Sequence, residues 1–184
     1  MKRASVCLTA AAVVGCTNGP PPDPVVGTGS FARNGTSLSV MSVRAVADYA
    51  FFGAGNDSYG GYAILFSTQG AGLRCSEAAG LSTIEQLDIS TPQLFSPSKP
   101  GRAVLTVGDI PVVMRGPFDG GPPAMTIAEF VASQPPMTAG TVTITAFDDA
   151  SIAGTFTATG PDSHSTPTTM TTFTGSFDAT ICPH

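Results

Sequence analysis

Alternation with a period of two runs through the C-terminal third of the chain. In residues 141–147 (TVTITAF), Val142, Ile144 and Ala146 alternate with threonines. In residues 152–159 (IAGTFTAT), Ile152, Phe156 and Ala158 share a face. In residues 170–182 (MTTFTGSFDATIC), Phe173, Phe177 and Ile181 lie on one face, and Thr172, Thr174, Ser176, Asp178 and Thr180 on the other. Successive side chains point to opposite faces only in a strand, so the pattern excludes helix here. A Thr-rich polar face opposite an apolar one is the mark of antiparallel strands with one side in water. Asp148-Asp149-Ala150-Ser151 reads as the turn of a hairpin between the first two segments. The expected fold is therefore all-β: a single antiparallel β-sandwich or barrel-like domain, with one or two short helical turns.

The rest of the chain fits that class with less definition. Residues 62–68 (YAILFST) are apolar on both faces and predict a central strand. Residues 103–107 and 110–114 predict short strands around Gly108-Asp109, and residues 84–89 a weaker one. Phe31 and Leu38 flank Asn34-Gly35, a strong hairpin signal. Residues 40–52 fit strand or helix, with strand favoured because Gly53, Gly55 and Gly60 follow. Residues 126–133 are equally open, and residues 76–81 suggest a short helical turn. Gly and Pro, 21 and 16 in number, stay below the share that implies wholesale disorder and point instead to many turns.

The N-terminus reads as an address. Lys2 and Arg3 precede the nine-residue, mostly apolar stretch 6–14, far shorter than the roughly 20 residues of a membrane span. Val13-Val14-Gly15-Cys16 follows. This segment resembles the lipobox of bacterial lipoproteins: an aliphatic residue, a small or aliphatic one, Gly or Ala, then Cys. The resemblance covers residues 1–16 only. It implies a signal peptide over 1–15, cleavage before Cys16, a diacylglyceryl group on the Cys16 thiol, and usually N-acylation with a palmitate-type chain. With Thr17 after the cysteine, it implies an outer-membrane location facing the periplasm or the cell surface. Several acyl chains, each contributing about 0.8 kcal/mol per buried CH₂, make a stable anchor. Residues 16–24, with Pro20, Pro21, Pro22 and Pro24, then form a lipidated, semi-rigid tether ahead of a domain over 25–184.

Cys7 leaves with such a signal and Cys16 carries lipid, so Cys75 and Cys182 remain, an even number in an oxidising compartment. A disulfide between them is expected. A metal site is not, because His164 and His184 are the only histidines and lack zinc-like spacing. The net charge is −5; losing Lys2 and Arg3 leaves 6 basic against 13 acidic residues, near −7. That excludes counterion-releasing contact with nucleic acid and a polybasic membrane patch.

Candidate motifs give little chemistry. Gly27-Thr28-Gly29-Ser30-Phe31-Ala32 matches a dinucleotide fingerprint, yet Pro24 before it and Asn34-Gly35 after it leave no room for strand and helix. Ser96-Pro97-Ser98-Lys99 matches the serine nucleophile motif of penicillin-binding enzymes, but Pro97 and Pro100 make it a turn. Asp148 and Asp149 lie a strand's length, about 26 Å, from Asp162 and His164, so the four cannot form one site. Tyr59 and Tyr62 border a Gly-rich loop at 53–61 that reads as a turn before a ligand contact. Asp57, Asp109, Asp119, Asp148, Asp149 and Asp162 fall at expected turns and scatter over the surface, whereas Glu77, Glu85 and Glu129 lie in segments the alternation does not define.

No cofactor is expected. The function that follows is a lipid-anchored extracytoplasmic envelope protein with a binding or structural role. Its partners would be the membrane, through the anchor, and an unidentified protein or glycan. The alternative is an envelope-associated hydrolase with a loop-built site; without convergent titratable groups, enzyme activity is not expected.

Overall fold

The computed structural model describes residues 22–52, 58–95, 102–114, 123–133, 136–162 and 169–183. The lipobox, the Ser96–Lys99 motif, Asp57, Asp119, His164 and His184 lie outside them. Ten strands and one helical turn follow in order: β1 (Thr28–Arg33), β2 (Thr36–Leu38), β3 (Ser42–Phe52), β4 (Ser58–Ser67), α1 (Cys75–Ala78), β5 (Glu85–Phe95), β6 (Gly108–Pro111), β7 (Ile127–Phe130), β8 (Ala139–Phe147), β9 (Ser151–Asp162) and β10 (Thr169–Cys182). The all-β expectation holds, as does the strand favoured over 40–52; residues 126–133, left open between helix and strand, contain β7, and the helical turn suggested over 76–81 falls at α1.

Eight strands run in the order β6-β8-β9-β10-β3-β4-β5-β7. The halves β6-β8-β9-β10 and β3-β4-β5-β7 are each antiparallel throughout. They join where Thr180, Ile181 and Cys182 pair in parallel with Arg44, Ala45 and Val46. The two outer strands, β6 and β7, meet in one parallel bridge, Val112 to Ala128, where the Val113 amide donates to the Ala128 carbonyl at 2.9 Å. The sheet is thus a nearly closed barrel, which removes most of the exposed edge that an open sheet must protect.

The β1–β2 hairpin leaves this path and pairs with β10. Its two-residue turn needs positive φ at both positions, and Asn34 (49°) and Gly35 (77°) supply it. The tip is fastened to β10 by the Asn34 amide on the Thr172 carbonyl and the Thr172 amide on Asn34 Oδ1, both at 2.8 Å.

The interior is filled by large side chains opposite small ones. Phe156 faces Gly175, which faces Phe31; Gly154 faces Phe177, which faces Gly29. A Cβ at Gly154 would press on the Phe177 ring, and one at Gly175 on the Phe156 ring. Phe31 is the centre of the packing, with ring centroids 5.0 Å from Phe173, 5.3 Å from Phe156 and 5.6 Å from Phe66 in tilted or edge-on arrangements. Ile144, Phe156, Phe173 and Phe177 face inward as the alternation predicts.

Ala146 does not. The register shifts between Ile144 and Ala146, and this bulge exchanges faces: Ala146 is exposed and Phe147 turns to the Tyr62 ring at 5.8 Å. Residues 103–107 are not a strand either. They cross one end of the barrel, burying Ala103 and Leu105 in the core while Val104 stays exposed. This segment bonds to side chains instead of a backbone ladder: the Val104 amide donates to Gln93 Oε1, and the Tyr62 hydroxyl donates to the Ala103 carbonyl, each at 2.8 Å. Gly108-Asp109 is accordingly no turn but the start of β6, paired with Ile144 and Thr143.

A second, small cluster lies outside the barrel interior: Val26, Cys75, Ala78 and Cys182, with Leu81 against it. Cys75 and Cys182 are disulfide-bonded across 107 residues, at the end of the last strand as expected. The buried Arg44 guanidinium ties this cluster to β3 by donating to the Ala78 carbonyl. Asp23 and Pro24, read from sequence as tether, already dock here. The Cys75 amide donates to the Pro24 carbonyl at 2.8 Å, and the Ser76 hydroxyl donates to the Asp23 carboxylate at 2.6 Å.

Candidate functional site

Glu85 opens β5 with the parity of the core. Phe66 pairs with Glu85 and Ile64 with Leu87 on the same strands, so Glu85, Leu87 and Ile89 all point into the barrel. The residue is only 4 % exposed. Its carboxylate is held by the backbone that follows β7, where the Ala132 amide donates to Oε1 at 2.9 Å and the Ser133 amide also donates to the carboxyl group, and by the neighbouring Gln86 amide at 3.2 Å. These bonds favour the charged form, but desolvation outweighs them and pushes the pKa up to about 7.

The carboxylate forms part of the lining of a cavity of about 200 Å³ at the end of the barrel opposite residues 102–106. Phe31 and Arg33 of β1, Leu38 of β2, Phe173 of β10, and Ile84, Ala132 and Ser133 complete it. The Arg33 guanidinium lies 6.0 Å from the centroid of the Phe173 ring, at the exposed rim. Ser133 is 6 % exposed, and its hydroxyl has no hydrogen-bond partner. Such a group is uncommon in folded proteins and calls for an explanation.

Among the described residues, the motifs singled out from sequence do not converge. Gly27 to Ala32 lead into and form β1, with no helix after them. Gly27 is required there because a side chain would collide with the Asp178 carbonyl. Asp148 Oδ1 accepts the amides of Ala150 and Ser151, each at 2.8 Å, which lowers its pKa and accounts for it as a turn former. Asp162 closes β9, eleven residues along from Ser151. Tyr62 is a core residue, 1 % exposed, and takes no part in a ligand loop. Among the described residues no three His, Cys, Asp or Glu side chains gather for a metal ion. A further cavity of about 320 Å³, lined by Val107, Ile110, Pro111 and Met125 among others, has Asp109 bonded to the Thr143 hydroxyl at 2.7 Å.

No family model, curated protein or solved structure matches the chain. The cavity beside Glu85 forms the mouth of the barrel at this end. It holds one carboxyl group that titrates near neutrality, one unsatisfied hydroxyl, one rim cation and two aromatic rings. That set is suited to holding a small polar molecule. Among the described residues lining the cavity, Glu85 is the only carboxylate and no histidine is present.

Sequence reading missed Glu85 although its signal was present. Leu87 and Ile89 share its parity, whereas Ile84 has the opposite one, so anchoring the alternation on Leu87 and Ile89 places Glu85 inside.

Proposed function

We propose that this chain is a lipid-anchored extracytoplasmic envelope protein with a binding role, attached through acylated Cys16 and presenting the barrel on a short tether. The observation that carries the reading is the Cys75–Cys182 bond. Structural disulfides persist in oxidising compartments, which agrees with an export signal in residues 1–15. The bond also uses both cysteines of the domain, leaving Cys16 as the thiol placed for acylation. Docking of Asp23 and Pro24 onto residues 74–76 supports a tether that ends close to the barrel. The test is intact mass and detergent phase partition of the full chain purified from envelopes. The expected product begins at Cys16, carries acyl mass and enters the detergent phase. A Cys16→Ser chain that is processed and partitions like the wild type refutes the anchor.

A hydrolase reading has one observation in its favour, a carboxyl group with a pKa of about 7 beside a hydroxyl in a cavity. Turnover of an ester, glycan or peptide that disappears in Glu85→Gln with the fold intact would establish it.

A further inference from the structure

We propose that the mouth cavity binds a small primary-ammonium compound, its ammonium group seated on the Glu85 carboxylate and the Ser133 hydroxyl, with an amino-acid-sized zwitterion as the best-fitting class. The inference deepens the binding role proposed above and is independent of the lipid anchor.

Three observations carry it. First, Ser133 is 6 % exposed, lines the cavity, and has an Oγ with no partner. A buried hydroxyl in that state is a standing cost, which a ligand donor removes. Second, Glu85 is nearly buried on the inner face and forms no ion pair among the described residues, while its hydrogen bonds come from backbone amides on the β5 and β7 side. An ammonium group supplies both a charge and three donors, enough for the carboxylate and the hydroxyl together. The rings of Phe31 and Phe173, in the same lining, give the cation aromatic neighbours. Third, the size is small: about 200 Å³ equals roughly seven waters of liquid volume.

Arg33 decides between kinds of amine. It is the one cationic side chain among the described lining residues; β2, β10 and the segment after β7 contribute Leu38, Phe173, Ala132 and Ser133. A plain amine meets its repulsion, whereas a ligand with a carboxylate at the far end meets its attraction. A divalent metal is disfavoured, because Glu85 is the only carboxylate among the described lining residues and hard cations take six or more oxygens. A neutral polyol remains chemically distinct, since it leaves Glu85 free to keep its proton.

The test is calorimetric titration of the full chain in detergent with three probes of matched length, 4-aminobutanoate, butylammonium and butanoate, at pH 5, 6, 7 and 8. An ammonium ligand binds the ionised carboxylate, so affinity for the first two probes rises about tenfold per pH unit from pH 5 to about 7 and then levels. The expected order is 4-aminobutanoate, then butylammonium, with butanoate weakest. Glu85→Gln removes the pH dependence and weakens the zwitterion at least tenfold, and Ser133→Ala weakens it several-fold with the pH dependence retained. The wild-type pH profile stands without any variant, should one fail to fold. Failure of both ammonium probes to saturate overturns the proposal. So does tightest binding of butanoate, or affinity that falls as pH rises, which would point to a neutral hydroxylic ligand. None of these results bears on acylation of Cys16, which is read separately by mass in the same preparation.

Discussion

Replacing Glu85 with Gln removes a charge from the barrel mouth and keeps the shape. In the folded chain the carboxyl group titrates near 7, against an ordinary value of 4.5, because burial penalises its charged form. At roughly 1.4 kcal/mol per unit of pKa, the difference corresponds to about 3 kcal/mol. The sign follows from proton counting. Between pH 4.5 and 7 the folded protein holds a proton on Glu85 that the unfolded chain has released, so stability falls as pH rises through that window and is level above it. The contribution is complete below 4.5 and lost above 7. Gln cannot titrate, so its variant lacks this slope. Urea unfolding of both proteins at pH 4.5, 6, 7 and 8 should therefore show the wild type losing up to ~3 kcal/mol relative to Glu85→Gln. Other groups cancel in the difference between the two proteins. Asp148, whose pKa is lowered by the Ala150 and Ser151 amides, acts in the opposite sense and below about 4, outside the window. Parallel stability curves for the two proteins, or a wild type that gains on the variant as pH rises, would refute a desolvated Glu85.

Phe156→Ala and Phe177→Ala, each removing a ring seated over a glycine of the neighbouring strand, should cost about 3–5 kcal/mol in denaturant unfolding. Thr157→Ala and Thr174→Ala, on the exposed face, should stay within ~0.5 kcal/mol; equal costs for the two pairs would mean the faces are exchanged. Replacing both Cys75 and Cys182 with Ala should lower stability by about 2–5 kcal/mol, and adding a reductant should lower the wild-type midpoint but leave the variant unmoved. An unchanged midpoint on reduction contradicts the bond.

What was legible in the sequence depended on how far each strand relies on its own alternation. β8, β9 and β10 have one face in the core and one in water, so Val142, Ile144, Phe156, Phe173 and Phe177 announce themselves. Only the bulge before Ala146 escaped, because an inserted residue changes faces without changing composition. Residues 102–106 alternate as a strand does, Ala103 and Leu105 in and Val104 out, yet they close a barrel end and bond to Gln93 and Tyr62, partners set by tertiary placement. β7 is four residues long, too short for either period to show. The mouth was hidden for a related reason. Glu85 occupies a position the pattern assigns to an apolar residue, and its partners, the amides of Ala132 and Ser133, lie nearly fifty residues away. A polar residue breaking an apolar face is where local rules fail and where function concentrates.

The corner formed by Val26, Cys75 and Cys182 determines how mechanical load enters the molecule. A pull on the chain ahead of Asp23 is met by the Arg74 guanidinium on the Asp23 carbonyl at 2.6 Å, by the Cys75 amide on Pro24, and by the Val26 amide on the Leu73 carbonyl at 2.9 Å. From residue 75 the tension passes through a covalent bond into the end of β10, whose twelve-residue ladder with β9 spreads it along the barrel wall. β1 begins at Thr28, beyond these fastenings. Under the proposed anchor, a pull from the membrane would reach these fastenings before the hairpin, leaving Phe31, Arg33 and Leu38 at the mouth outside the loaded path.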